Sequence, residues 1–113
     1  MTARPVAPRA AARRDAERIV TAYRLEAGPQ IALGFVGALE AAYAMIGAEP
    51  GAGSPRYGLA LDLPGLRSWR VRGFPYLVFY VERAGLIDVW RILHGRRDIP
   101  ETLMAPQDSD EHP

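Results

Sequence analysis

The stretch from Leu66 to Leu103, LRSWRVRGFPYLVFYVERAGLIDVWRILHGRRDIPETL, restricts the fold more than any other part of the chain. Three runs rich in β-branched and aromatic residues follow one another with only turn-sized gaps: Leu66–Arg72, Tyr76–Arg83 and Leu86–His94. Ala84–Gly85 suits a tight hairpin and Gly73–Phe74–Pro75 a short link, so successive strands pair antiparallel. The middle run, YLVFYV, is apolar on both parities, which means cover on both faces. In the third run Ile87, Val89, Arg91 and Leu93 make the better core face, with Arg91 out of character.

Helical spacing dominates the first half. Ala12, Ala16, Ile19, Val20 and Tyr23 share one face of a helix expected over Pro8–Glu26, and Gly28–Pro29 separates it from a second helix over Pro29–Glu49. So short a link makes the two an antiparallel hairpin. Ala32, Phe35, Leu39, Ala42, Tyr43 and Ile46 form the core face of the second helix. Its other side carries Gly34, Gly37, Ala38, Ala41, Ala44 and Met45, with Glu40 the only charge before Glu49. Two readings stay open for that pale side: close packing of the two helices, or a surface that a partner covers. The segment Ile31–Ala48 is apolar enough to raise the question of a membrane span. Its central Glu40 and its Ala/Gly content favour a soluble helix and no membrane.

Residues 3–7 read as a short edge strand that tolerates Pro5. Residues 50–65 read as a connection with at most one short turn or strand. Residues 98–103 suit a last helical turn capped by Asp98, with Glu101 at the capping-box spacing. The whole is an α+β architecture: a helix hairpin on a small antiparallel sheet of three to four strands. A single domain over residues 1–103 is expected, followed by an acidic, disordered tail over 104–113. The first residues lack the apolar stretch of a secretory signal.

All 14 basic residues are Arg, and there is no Cys and no Lys. Disulfides and thiolate chemistry are therefore excluded. The formal net charge of +1 conceals an uneven distribution. Residues 56–97 hold eight Arg against Asp62, Glu82 and Asp88, whereas residues 98–113 hold five acids and no Arg. Such a basic half suits a phosphate-bearing or acidic partner, because guanidinium is permanently charged and planar.

The candidate contact residues are Arg67, Arg70, Arg72, Arg91, His94, Arg96 and Arg97. Arg67 and Arg91 are expected on neighbouring strands, and the fold is expected to gather the set at one end and one face of the sheet. The plain alternative is a solvated face with one Arg paired to Asp62, Asp88 or Asp98. His94 could act as a general base for RNA cleavage if Tyr80, Arg67 and Arg91 converge on it. No metal site is expected, since His94 has no Cys or second folded His beside it, and no cofactor motif is present. Trp69, Phe79 and Trp90 read as core residues, with Trp90 alternatively an interface anchor on the face away from the helices.

At these residues the chain resembles the ParE branch of the RelE/ParE toxin superfamily, the toxins of type II toxin–antitoxin systems. The resemblance covers roughly Val6 to Leu103. It rests on Pro8–Arg9–Ala10–Ala11 leading into the first helix, on LRSWRVRGFPYLVFYVE, and on IDVWRILHGRRDIPETL, which is similar to the family's "R-V-L-H-G-x-R-D" ending. It implies a cytoplasmic toxin neutralised in a hetero-oligomeric complex by a ParD-like antitoxin, with operator DNA met only through that antitoxin. Ala38, Ala41, Met45 and Trp90 are the residues it suggests for antitoxin contact. It also implies DNA gyrase as target, with growth arrest as outcome and no enzymatic chemistry. A ribosome-dependent mRNA interferase, or a non-toxic antitoxin-binding module, are the alternatives.

Overall fold

Turn length sets the order of the sheet. The computed structural model describes residues 3–97 and 99–104. Its strands are β1 (Val6–Pro8), β2 (Leu66–Arg70), β3 (Tyr76–Arg83) and β4 (Leu86–His94). They form one four-stranded sheet in the order β1-β4-β3-β2. β2, β3 and β4 make the expected antiparallel meander. β1 pairs parallel with β4, so the sheet is mixed rather than wholly antiparallel. The order also places β3 between β2 and β4, so Arg67 and Arg91 do not lie on neighbouring strands as expected.

The helices are α1 (Ala10–Ala27) and α2 (Pro29–Ala48), followed by a single 3-10 turn at Pro50–Ala52, α3 (Arg56–Ala60) and α4 (Ile99–Met104). α1 starts two residues later than expected because Pro8 belongs to β1 and the Arg9 N–H donates to the Val89 carbonyl at 2.9 Å. Gly28 joins α1 to α2 with φ +95°, a conformation that L side chains resist. The connection over 50–65 holds two helical pieces where at most one turn or strand was expected. The apolar pattern in α3 is too short to show periodicity. Its Tyr57 ring instead finds Phe79 edge-on at 5.4 Å. The Asp98 cap and the tail lie outside the described residues, and α4 ends at Met104.

Two cores lie on either side of the sheet. The α1–α2 hairpin packs Ala12, Ile19, Phe35, Leu39 and Ile46 on Val71, Val78, Tyr80, Ile87, Val89 and Ile92. On the other face Leu66, Phe79 and Val81 meet Ile99 and Leu103 of α4. β3 supplies alternate residues to both, as its doubly apolar pattern required. In β4 the parity does not hold throughout. Phe79 faces Arg91 and Tyr80 faces Val89, which leaves Trp90 as the extra residue of a β-bulge. The core face therefore runs Ile87, Val89, Ile92, while Leu93 packs against the opposite core. α2 is apolar enough, with a hydropathy of 1.7 over 18 residues, to pass for a membrane span by composition. Its Phe35 and Ile46 are fully buried beneath the sheet.

Candidate interaction surfaces

The arginines separate by what the edges of the sheet offer them. β2 is one edge. Its inner side pairs with β3, and at Ser68 its outer side pairs with Ser54, by N–H to carbonyl bonds of 2.9 Å in both directions. Antiparallel alternation then points the Arg70 N–H and carbonyl outward, past the end of that short bridge. Facing this edge is the pale side of α2. Between them lies a groove of about 610 Å³, lined by Ala38, Ala41 and Met45 of α2 and by Trp69, Arg70 and Arg72. Ala41 and both arginines are exposed, whereas Trp69 is partly covered by the helix-side core. The small α2 side chains thus leave a trough, with an apolar floor, an arginine rim and an open strand edge.

At the other edge, β1 covers β4 only from Ile87 to Val89. Beyond that point the edge N–H of Ile92 needs another acceptor. Asp15 of α1 supplies it at 3.0 Å. The same carboxylate takes both the Nε and an Nη of Arg91, at 2.7 and 2.8 Å, and an Nη of Arg18 at 2.6 Å. Asp15 is only 2% exposed, so a charge in that position requires such company. Arg91, the anomaly of the third strand, is explained as half of this fork-to-fork pair. Tyr43 feels the same carboxylate: burial first, and then Asp15, push its hydroxyl up to about 12. In the sequence Asp15 stood among charged helix residues, with nothing local to mark it as buried.

Asp88 anchors a second ion cluster. Arg9 grips it through Nε and Nη2 at 2.9 and 2.8 Å, Trp90 donates its indole N–H at 3.2 Å, and Arg83 adds a bond at 3.2 Å. The Arg9 guanidinium also lies 4.9 Å over the Trp90 ring. Burial would raise the Asp88 carboxyl, but these donors outweigh it and hold the group below its ordinary value. Trp90 therefore belongs to the face away from the helices, apart from Ala38, Ala41 and Met45.

The four residues considered for RNA cleavage divide into two pairs. The Tyr80 hydroxyl is buried, accepts from the Gly53 N–H at 3.0 Å and donates to the Pro50 carbonyl at 2.7 Å. Arg67 is partly buried and donates to the Gly53 carbonyl at 2.7 Å. Burial raises the Tyr80 hydroxyl, although the Gly53 N–H and Arg67 oppose the rise. Both residues clamp the loop before α3. Arg91 and His94 lie on β4, next to the strand of Tyr80, but their side chains are turned to other partners, Asp15 of α1 for Arg91 and Tyr76 for His94. The His94 ring meets Tyr76 edge-on at 5.4 Å, and its Nδ1 accepts the Arg96 N–H at 3.1 Å. Burial, and then Arg97 and Arg96, hold His94 below its ordinary value. Arg96 and Arg97 are exposed just past the strand. Of the expected basic set, Arg70, Arg72, His94, Arg96 and Arg97 lie toward one end of the sheet but on its two opposite sides, whereas Arg67 lies further along β2, level with Tyr80, and Arg91 is turned to Asp15. Among the described residues no three His, Cys, Asp or Glu side chains come together as metal ligands.

A helix hairpin on this sheet, with the strand order above, defines the RelE/ParE-like fold. The profile of the family described as "ParE toxin of type II toxin-antitoxin system, parDE" matches residues 6–99. The chain belongs to that family of toxins. A solved structure described as "Chromosomal ParDE TA system from P. aeruginosa" is similar in fold, with a TM-score of 0.67 and 22% identity over 80% of this chain and 95% of that one. No curated protein matches in sequence.

Proposed function

We propose that this chain is a cytoplasmic growth-arresting toxin, which a cognate antitoxin silences by filling the α2–β2 groove, and which when free inhibits DNA gyrase. The groove carries the reading. Its apolar floor of Ala38, Ala41, Met45 and Trp69 suits a segment that folds on binding. The outward backbone groups at Arg70 offer strand pairing to an extended part of the same segment. Arg70 and Arg72 favour acidic side chains on it. Family membership and the absence of convergence among His94, Tyr80, Arg67 and Arg91 support a target bound rather than a substrate turned over. The exposed guanidinium groups of Arg96 and Arg97 are the remaining surface for target contact.

The reading is tested by titrating purified, antitoxin-free protein into a DNA gyrase supercoiling assay. Loss of supercoiling with accumulation of linear DNA is the expected result. Unchanged supercoiling with folded protein in excess removes gyrase as the target.

A further inference from the structure

The cleft between α1, the end of β4 and α4 has no part in the groove. It holds about 350 Å³, and Arg18, Tyr76, Arg91, His94, Arg97 and Thr102 contribute to its walls. That volume lies within the range of small-ligand sites and exceeds what a bare inorganic anion needs.

Its charge is one-sided. Three guanidinium groups among the described lining residues face one carboxylate, Asp15. Both oxygens of Asp15 already accept two bonds each, from Arg18 and Arg91 on one and from Arg91 and the Ile92 N–H on the other. Asp15 therefore fixes where Arg91 and Arg18 sit without answering Arg97. Arg18 is joined to Asp15 by one Nη alone, and its side chain is 68% exposed. His94 adds directionality: because its Nδ1 accepts the Arg96 N–H, the neutral ring carries its proton on Nε2 and offers a donor. Burial first, and then the neighbouring Arg97 and Arg96, hold His94 below its ordinary value, so the two guanidinium groups add to the effect of burial in favouring the neutral ring. Planar donors held by a buried carboxylate, beside a ring N–H and a hydroxyl, suit a tetrahedral dianion.

We infer that this cleft is a binding site for a phosphate monoester of nucleotide size, with the phosphate held by Arg18 and Arg97 beside His94. The site shares no lining residue with the antitoxin groove and does not rest on the toxin reading, although Arg97 is common to it and to the surface proposed for target contact.

A terminal phosphate can come from a free mononucleotide or from the 5′ end of an oligonucleotide, and the experiment distinguishes them. The full chain is titrated with AMP, with adenosine, and with a short single-stranded DNA bearing or lacking a 5′-phosphate. The His94 imidazole resonances are followed by NMR and affinity by calorimetry. Saturable movement of the His94 signals is expected with AMP and not with adenosine. Arg97→Ala and Arg18→Ala are each expected to weaken AMP by about tenfold, the loss of one charge-assisted contact. Both residues are exposed, so both variants should fold, which circular dichroism checks. Tighter binding of the 5′-phosphorylated strand than of AMP would identify a nucleic-acid end as the ligand. Tighter AMP would identify the free nucleotide. Equal binding of AMP and adenosine, no saturable His94 shift with any phosphate-bearing probe, or wild-type affinity in Arg97→Ala would overturn the proposal.

Discussion

Asp15 and Asp88 show how single carboxylates hold the arginine-rich strands in place. Asp15→Ala removes the acceptor for Arg91, Arg18 and the Ile92 N–H together, leaving a partly buried guanidinium and a strand-edge amide without it. A loss of about 3 kcal/mol of unfolding free energy is expected, read as a lower urea midpoint with an unchanged slope. A midpoint within error of wild type would mean that the Asp15 cluster is dispensable. Asp88 gives a prediction in pH. Its carboxyl lies below its ordinary 3.8 in the folded chain, so the unfolded chain binds the proton first. The stability it confers is complete above that ordinary value and disappears as pH falls through the lower folded value. Asp88→Asn should therefore flatten the acid limb of a stability–pH curve below about pH 4. An acid limb as steep as wild type would assign the acid sensitivity to other groups.

At the scale of elements, the sequence revealed what depends on local pattern and concealed what depends on distant partners. The helix hairpin and the β2–β3–β4 meander were legible because their periods and turns are local. β1 could be placed at an edge, but its parallel pairing with β4 depends on contacts 81 positions apart, as between Val6 and Ile87. The bulge at Trp90 was invisible because strict alternation is the only signal a strand gives. It moved Leu93 to the other face and Ile92 into its place. The loop before α3 depends equally on tertiary contact. Gly53 donates to the Tyr80 hydroxyl, and a Cβ at that position would stand 2.8 Å from the ring carbon bearing that hydroxyl. Gly53→Ala should cost about 1–3 kcal/mol by overpacking. It should also loosen the Ser54–Ser68 bridge, seen as faster amide exchange at both residues. Wild-type stability and exchange would mean that the loop shifts freely away from Tyr80.

For the whole molecule, one sheet presents two unlike surfaces, an apolar groove on β2 and a cationic cleft on β4. The charge excess of residues 56–97 was readable from composition, but its division between two edges was not, because only the strand order β1-β4-β3-β2 separates Arg70 from Arg97. β2 and β4 are two strand spacings apart, about 10 Å. Changes at that separation with no shared partner add independently. Ala41→Glu places a charge on the exposed, apolar side of α2. It should weaken antitoxin binding by about 100-fold, or ~2.7 kcal/mol, while Arg97→Ala leaves that affinity unchanged. The double variant should then bind antitoxin as Ala41→Glu alone does, to within about 0.5 kcal/mol. Calorimetry on the four proteins completes the cycle. A coupling above about 1 kcal/mol would mean that the antitoxin crosses the end of the sheet and occupies both surfaces. Independence would leave the cationic end uncovered in the complex and open to a second ligand.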